Sequence, residues 1–162
     1  MGSGKTSVAE ALARLLDCAA ADLDQIITIK EGSSPKEIIE GDGEESFRAI
    51  ETRMLSQLLE ENLSRVIALG GGAWTIASNR RAIEEYGCFS VWLDAPFELC
   101  WQRILEAGDE RPLAPDKQTA RRLYQKRRHL YEHVDMRIEI NAGTRINEIA
   151  SRIAANLQLA NQ

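Results

Sequence analysis

Short apolar runs that alternate with longer helical patterns constrain the fold of this chain more than any other feature. Residues 65–69, 89–93 and 136–140 have the length and apolar character of buried strands. Between them, apolar residues recur at spacings of three and four, which is typical of helices that pack by one face. This alternation predicts an α/β fold, with a doubly wound parallel sheet and helices on both of its faces.

Helix signals fill the intervals between the expected strands. Ser34, Pro35 and Glu37 form a capping-box pattern with proline at the first helical position, so a short helix is expected to begin there. Pro96 opens a helix that should end near Gly108. Apolar spacing predicts further helices over residues 4–16, 43–63, 78–86, 118–133 and from 146 onward.

Composition and charge exclude several classes of protein. The 162 residues are 44% hydrophobic and show no repeat or linker, so we expect a single domain over residues 1–162. A net charge of −5 argues against general nucleic-acid binding. No segment has the pattern of a membrane span or signal peptide. We therefore expect a monomer with neither a nucleic-acid nor a membrane partner.

The cysteines and histidines predict a reducing compartment and no metal site of their own. Cys18, Cys88 and Cys100 are odd in number, scattered and set among apolar neighbours, so they are expected to be buried thiols in the cytoplasm. His129 and His133 are four residues apart without a third ligand nearby, which favours a helix surface.

The chain opens with MGSGKTS, a pattern that binds the phosphates of a nucleotide in many proteins. Glycines let backbone N–H groups turn toward the anion, a lysine reaches the phosphates, and a hydroxyl holds Mg²⁺. The first glycine of the full motif would lie before Met1, so a lysine-containing terminus without function is the alternative. The candidate nucleotide-binding residues are Gly2, Ser3, Gly4, Lys5, Thr6 and Ser7.

Six motifs in order along the chain resemble those of shikimate kinase, from residue 2 to about residue 140. They are GSGKT, the DLD of residues 22–24, GEESFRAIE, VIALGGG, ERPL and RRHLYE. Each motif alone is weak, but their order and spacing together make a specific signal. The resemblance implies a five-stranded parallel sheet and transfer of the γ-phosphoryl group of ATP to the 3-hydroxyl of shikimate.

The resemblance also implies roles on the nucleotide side. Lys5 would bind the β- and γ-phosphates and act in catalysis, and Thr6 would hold Mg²⁺. Asp22 would lie near the metal and act on it through water. Arg111 lies in the charged segment 109–117, which has the composition of a lid, and would close over ATP and meet charge on the transferred group.

On the acceptor side, Asp24 would accept the proton of the substrate hydroxyl. Asp22 and Asp24 follow an apolar run, so an extended chain would point both side chains the same way, although a polar turn is the alternative. Gly71 and Gly72 lack side chains, which would let a polyol approach the backbone.

Arginine suits a carboxylate substrate because its planar guanidinium binds both oxygens. The resemblance assigns this role to Arg48, oriented by Glu51, and to Arg127. The alternative for Arg48 is a salt bridge on a helix surface, and Arg128 competes with Arg127 for the second position.

One expected element is absent from this sequence. A phosphate-binding loop normally follows a central strand of about eight residues or fewer, and only Met1 precedes it here. The hypothesis is therefore that the natural chain begins upstream of Met1.

The alternatives to a kinase for shikimate are a kinase-derived binding module without catalysis, or a small kinase for gluconate or a nucleoside monophosphate.

Overall fold

A computed structural model describes residues 2–62, 64–108 and 112–160. Its helices and strands alternate, as expected for an α/β protein. The strands are β1 (Ala20–Asp22), β2 (Val66–Ala68), β3 (Val91–Asp94) and β4 (Met136–Glu139). The α-helices are α1 (Lys5–Leu15), α2 (Leu23–Glu31), α3 (Pro35–Glu61), α4 (Ala77–Glu85), α5 (Phe97–Ala107), α6 (Lys117–Tyr131) and α7 (Ile146–Ala160). A short 3-10 helix covers Ala73–Thr75.

The strands form two separate parallel pairs. β1 pairs with β2, so that Ala21 lies opposite Ile67, and β3 pairs with β4, so that Leu93 lies opposite Ile138. In residues 2–62, 64–108 and 112–160, no strand joins β2 to β3 by hydrogen bonds. The parallel α/β class is confirmed.

Each strand pair has its own hydrophobic core. One core joins β3 and β4 to α1 and α7, and its buried members include Leu12, Ile138 and Ile153. The other joins β1 to α2, α3 and α4 around Ile27 and Leu55. A parallel sheet needs cover on its faces, and the helices supply that cover for both pairs.

Helix α3 contains the two helices expected from the sequence. Ser34 accepts a hydrogen bond from the Glu37 backbone N–H, and the Glu37 carboxylate accepts one from the Ser34 N–H, which completes the capping box. Gly43 lies within α3 at φ 88° and ψ 165°, and this conformation makes a kink between the two halves.

Three features differ from expectation. Helix α2 is not among the predicted helices; the Asp22 carboxylate caps its first turn, and Gly32 ends it in a left-handed conformation. Asp24 therefore lies in a helix, so the extended geometry expected for residues 22–24 is wrong. The expected burial of all three cysteines is also wrong, because Cys88 is exposed and only Cys100 is fully buried.

Within the described residues, no helix has the length and apolar character to cross a membrane.

Candidate active site

A single pocket collects the residues predicted to bind the acceptor. It is formed where α2, α3, α6 and the glycine-rich loop after β2 meet. The residues that line it include Asp24, Arg48, Gly71, Gly72 and Arg127, all five of the predicted substrate-binding residues. Pro112 and Leu113, from the segment expected to be a lid, also line it. Residues separated by up to about a hundred positions in sequence are thus brought together as predicted.

Arg48 is held in place by two carboxylates on its own helix. Its Nη1 lies 2.6 Å from Glu51 Oε2, and its Nη2 lies 3.1 Å from Glu44 Oε1. The Glu51 side chain is 1% exposed, whereas that of Glu44 is 52% exposed. The salt bridge considered as an alternative is therefore present, yet it also fixes the guanidinium at the pocket wall. The salt bridge is thus compatible with the predicted contact to a substrate carboxylate, which stays a prediction.

Glu51 is an enclosed acid with a free oxygen. Burial raises the pKa of its carboxyl, and the Arg48 guanidinium opposes that rise. Within the described residues, its Oε1 is buried without a hydrogen-bond partner. A buried acceptor of this kind costs free energy until it is paired, so it favours a water or a ligand hydroxyl in the pocket.

Arg127 and Arg128 point to different parts of the molecule. Arg127 lines the pocket and is 9% exposed, and in the described part of the chain its guanidinium forms no salt bridge. Arg128 instead binds both oxygens of Asp94, each at 2.7 Å. The charge of Arg128 is therefore already neutralised by a buried carboxylate, and Arg127 is the cation available to a ligand.

Burial lowers the pKa of Arg127, and the neighbouring Arg48 guanidinium lowers it further. Two guanidinium groups that repel each other across a pocket are suited to a planar anion, which can pair with both. An incoming carboxylate would neutralise the buried Arg127 guanidinium, which lacks an ion pair among the described residues.

The glycine-rich loop is packed against these charged groups at two positions. A Cβ atom on Gly70 would lie 2.9 Å from both Asp24 Oδ1 and Glu51 Oε1. A Cβ atom on Gly72 would collide with the Arg48 guanidinium. Glycine at these two positions therefore leaves the space that the Asp24 and Arg48 side chains occupy. This is a structural reason for glycine here, in addition to the predicted approach of the substrate to the backbone.

The predicted phosphate loop lies at the start of α1. Gly4 adopts φ 88°, which favours glycine, and its carbonyl accepts the Val8 N–H at 3.0 Å. Lys5 and Thr6 form the first turn of α1, where N–H groups and the helix dipole favour an anion. The backbone thus has the shape that the opening motif predicts for residues 2–7.

The residues predicted to hold Mg²⁺ touch each other. The Thr6 hydroxyl donates to Asp22 Oδ2 at 2.6 Å, while Asp22 Oδ1 accepts the Asp24 N–H at 3.0 Å. A hydroxyl and a carboxylate are the oxygen ligands that Mg²⁺ prefers, with water and phosphate oxygens completing its shell. Within the described residues, no cluster of three or more His, Cys, Asp or Glu side chains suited to a metal occurs.

Sequence reasoning missed residues on both sides of the site. Arg103 of α5 donates from Nη1 to the Gly2 carbonyl at 3.3 Å, so it lies against the phosphate loop. Pro35, Lys36 and Ile39 line the acceptor pocket from the first half of α3. The capping box located this helix, but only the fold shows which of its faces meets the pocket. Arg111, predicted to be catalytic and to bind ATP, lies outside the described residues.

Comparisons with known proteins agree with this geometry. A family model described as shikimate kinase matches residues 1–158. The chain belongs to the shikimate kinase family. It is 39% identical over 160 residues to a shikimate kinase of Ruegeria pomeroyi, covering 97% of this chain and 80% of that one. It is also 37% identical over 158 residues to a shikimate kinase of Persephonella marina, covering 94% of each chain.

Solved structures of shikimate kinases have the same fold. The shikimate kinase of Acinetobacter baumannii, determined in complex with shikimate, is 36% identical and superposes with a TM-score of 0.89. That comparison covers 100% of this chain and 90% of the other. Membership of the shikimate kinase family confirms the resemblance drawn from the six motifs, and it identifies this chain's relatives as phosphotransferases that act on an alcohol.

Proposed function

We propose that this chain phosphorylates the 3-hydroxyl of shikimate with ATP, which gives shikimate 3-phosphate and ADP. Membership of the shikimate kinase family supports the reaction, and the buried Arg127, with no salt bridge among the described residues, supports a carboxylate substrate most directly. Shikimate has one carboxylate and several hydroxyls, which match the two guanidinium groups and the carboxylates of Asp24 and Glu51 that line the same pocket.

Each predicted residue has a role in this proposal. Arg48 and Arg127 bind the substrate carboxylate, and Gly71 and Gly72 contact the ring through the backbone. Asp24 accepts the proton of the attacking hydroxyl. The pocket geometry supports these roles, because Asp24 and both arginines line one pocket. Phosphoryl transfer depends mainly on the position of the reacting groups and on charge neutralisation, so holding the acceptor hydroxyl in place is expected to contribute to the rate.

On the donor side, residues 2–7 cradle the ATP phosphates, with Lys5 on the β- and γ-phosphates. Thr6 and Asp22 would hold Mg²⁺, which neutralises charge on the phosphates when bound. The contact between the Thr6 hydroxyl and the Asp22 carboxylate supports this pairing. Arg111 would close over the nucleotide.

We further propose that the enzyme acts in the cytoplasm as a monomer, without nucleic-acid or membrane partners, and that residues 1–162 form one domain with a lid at 109–117.

The test is a coupled assay of ADP release with shikimate, gluconate and AMP as acceptors. We expect turnover with shikimate to exceed that with either other acceptor. Faster turnover with gluconate or AMP would contradict the proposed substrate. Calorimetric titration with shikimate provides the second measurement, because binding without turnover would favour a kinase-derived binding module instead.

A further inference from the structure

Two hydrogen bonds tie the glycine-rich loop to helix α6 in opposite directions. The Tyr131 hydroxyl at the end of α6 donates to the Gly71 carbonyl. The Trp74 indole Nε1–H, from the 3-10 helix after the loop, donates to the Leu130 carbonyl at 2.9 Å. Each segment thus gives one side-chain donor to the backbone of the other, and together these bonds connect residues that are about 60 positions apart in sequence.

One of these segments carries Arg127, and the other packs against the guanidinium of Arg48, which belongs to α3. Arg127 lies one turn before Tyr131 on α6, on the same side of the helix. Gly72 follows Gly71 directly, and the Arg48 guanidinium packs against it. The distance between α6 and the loop therefore sets the distance between the two guanidinium groups.

Arg48 and Arg127 differ in what fixes their guanidinium groups. Arg48 is paired with Glu51 and Glu44, whereas Arg127 has no salt bridge in the described part of the chain. The position of α6, rather than an ion pair, therefore determines where the Arg127 guanidinium lies. Holding binding groups in place before the ligand arrives raises affinity, since the cost of ordering them has already been met.

Tyr131 is itself held by aromatic and charged neighbours. Its ring lies 5.7 Å from that of Trp92, centroid to centroid. The guanidinium groups of Arg128 and Arg137 lie 5.0 Å and 5.1 Å from the Trp92 ring, and both pair with Asp94. The Tyr131 ring is therefore packed against β3 through Trp92.

From these contacts, we propose that Tyr131 and Trp74 are positioning residues that hold Arg48 and Arg127 at the separation needed for a substrate carboxylate. Neither side chain needs to touch the substrate. The inference rests on the proposed function, and it concerns the affinity for the carboxylate rather than the transfer step. Loss of either bond should therefore weaken shikimate binding while leaving ATP binding and the rate of transfer nearly unchanged.

The test compares two tyrosines on the same helix. Tyr131→Phe removes only the hydroxyl and keeps the ring against Trp92. We expect KM for shikimate to rise about three- to tenfold, from the loss of one hydrogen bond, while kcat and KM for ATP change less than about twofold. Tyr124→Phe is the matched control, because its hydroxyl donates to the Ala95 carbonyl at 3.0 Å and accepts from Arg128 Nη1 at 2.9 Å, and neither bond involves the glycine loop.

A purely structural role would give a different result. In that case both variants would lower the melting temperature, and neither would change KM for shikimate selectively at a temperature where each is folded. An unchanged KM in Tyr131→Phe, or an equal rise in Tyr124→Phe, would overturn the proposal. Trp74→Phe tests the second bond independently, and it is expected to raise KM for shikimate in the same direction even if Tyr131→Phe does not fold.

The methyl ester of shikimate separates this inference from the proposed function. The ester lacks the negative charge, so the ratio of kcat/KM for shikimate to that for the ester measures the contribution of the two arginines. We expect this ratio to fall in Tyr131→Phe and Trp74→Phe but not in Tyr124→Phe. A wild-type protein that does not use shikimate would refute the proposed function itself. Normal wild-type activity, with the same ratio in Tyr131→Phe and Trp74→Phe as in wild type, would refute only the positioning role of Tyr131 and Trp74.

Discussion

The acceptor pocket and the phosphate loop are held by different kinds of contact. In the pocket, Arg48 is fixed by Glu51, and the glycine loop is bound to α6 through Tyr131 and Trp74. In the phosphate loop, Arg103 Nη1 donates to the Gly2 carbonyl at 3.3 Å, and the Thr6 hydroxyl donates to Asp22 at 2.6 Å.

This difference indicates how the two ligands are expected to be bound. The acceptor site is formed by side chains that already contact one another, so we expect it to bind shikimate in the geometry already present. The start of α1 presents backbone N–H groups and the positive end of the helix dipole, so we expect phosphates to bind there mainly through the backbone. The strands are divided as well, because no strand among the described residues joins the β1–β2 pair to the β3–β4 pair.

The largest effect is expected from Asp24→Asn, which removes the proton acceptor but keeps the size of the side chain. We expect kcat to fall about 10²- to 10⁴-fold, because an amide cannot accept the proton of the hydroxyl. Shikimate affinity, measured by calorimetry, should change little. Asp17→Asn is the control, as Asp17 is exposed at φ 48°, a conformation that asparagine tolerates. Equal losses in both variants would contradict a catalytic role for Asp24.

A smaller effect is expected from Arg127→Lys, compared with Arg128→Lys. Lysine keeps the charge but cannot bind both carboxylate oxygens in one plane, so KM for shikimate should rise about ten- to a hundredfold for Arg127→Lys. Arg128 pairs with Asp94 instead, so Arg128→Lys should lower the melting temperature with little change in KM. Steady-state kinetics check this, and a larger KM effect at Arg128 would reverse the assignment.

A still smaller effect is expected from Gly72→Ala, which adds one methyl group against the Arg48 guanidinium. Arg48 must move, so KM for shikimate should rise about tenfold while KM for ATP stays unchanged. Gly41→Ala is a matched control within α3, because a Cβ there would meet nothing within 4 Å. That control should leave both constants unchanged and stabilise the helix slightly. If Gly72→Ala leaves KM for shikimate unchanged, then Arg48 does not bind the carboxylate.

The smallest effect is expected on the β3–β4 side, from Ser90→Ala. The Ser90 side chain and N–H both donate to Asp135 Oδ2, at 2.6 Å and 2.7 Å, and they lower the pKa of that carboxyl. The pair is exposed, so the loss of stability at pH 7 should stay below about 1 kcal/mol.

The pH dependence of this loss follows from the lowered pKa. The contribution of Asp135 is present above the unfolded pKa of about 4 and disappears as pH falls through the folded pKa. Denaturant unfolding at pH 7 and pH 3 should therefore show a smaller difference between wild type and Ser90→Ala at the lower pH. KM for shikimate should not change at pH 7, and a change would show that the two sides of the molecule are coupled.

The sequence predicted most of the elements because their signals are local. The capping box at Ser34, the glycine at the end of α5 and the apolar spacing in α7 all identify helices without knowledge of the fold. Helix α2 was missed, as its β-branched run of isoleucine and threonine residues also suits a strand. The order of the motifs then predicted which side chains gather at the acceptor pocket.

Contacts between distant elements could not be predicted in this way. Nothing local distinguishes Arg127 from Arg128, and the choice between them depended on the resemblance until the Asp94 ion pair was located. Arg103 and the hydrogen bond between Tyr131 and Gly71 depend on how α5 and α6 pack against loops far away in sequence. Sequence patterns carry the residue types of a site, whereas tertiary packing determines which of them face one another.

The most direct test is a crystal structure of this chain with shikimate. We predict that both carboxylate oxygens lie within hydrogen-bond distance of the guanidinium groups of Arg48 and Arg127, and that the 3-hydroxyl faces Asp24. A shikimate molecule bound elsewhere, or one whose carboxylate lies against Asp24 with its hydroxyls toward the arginines, would contradict the proposed site.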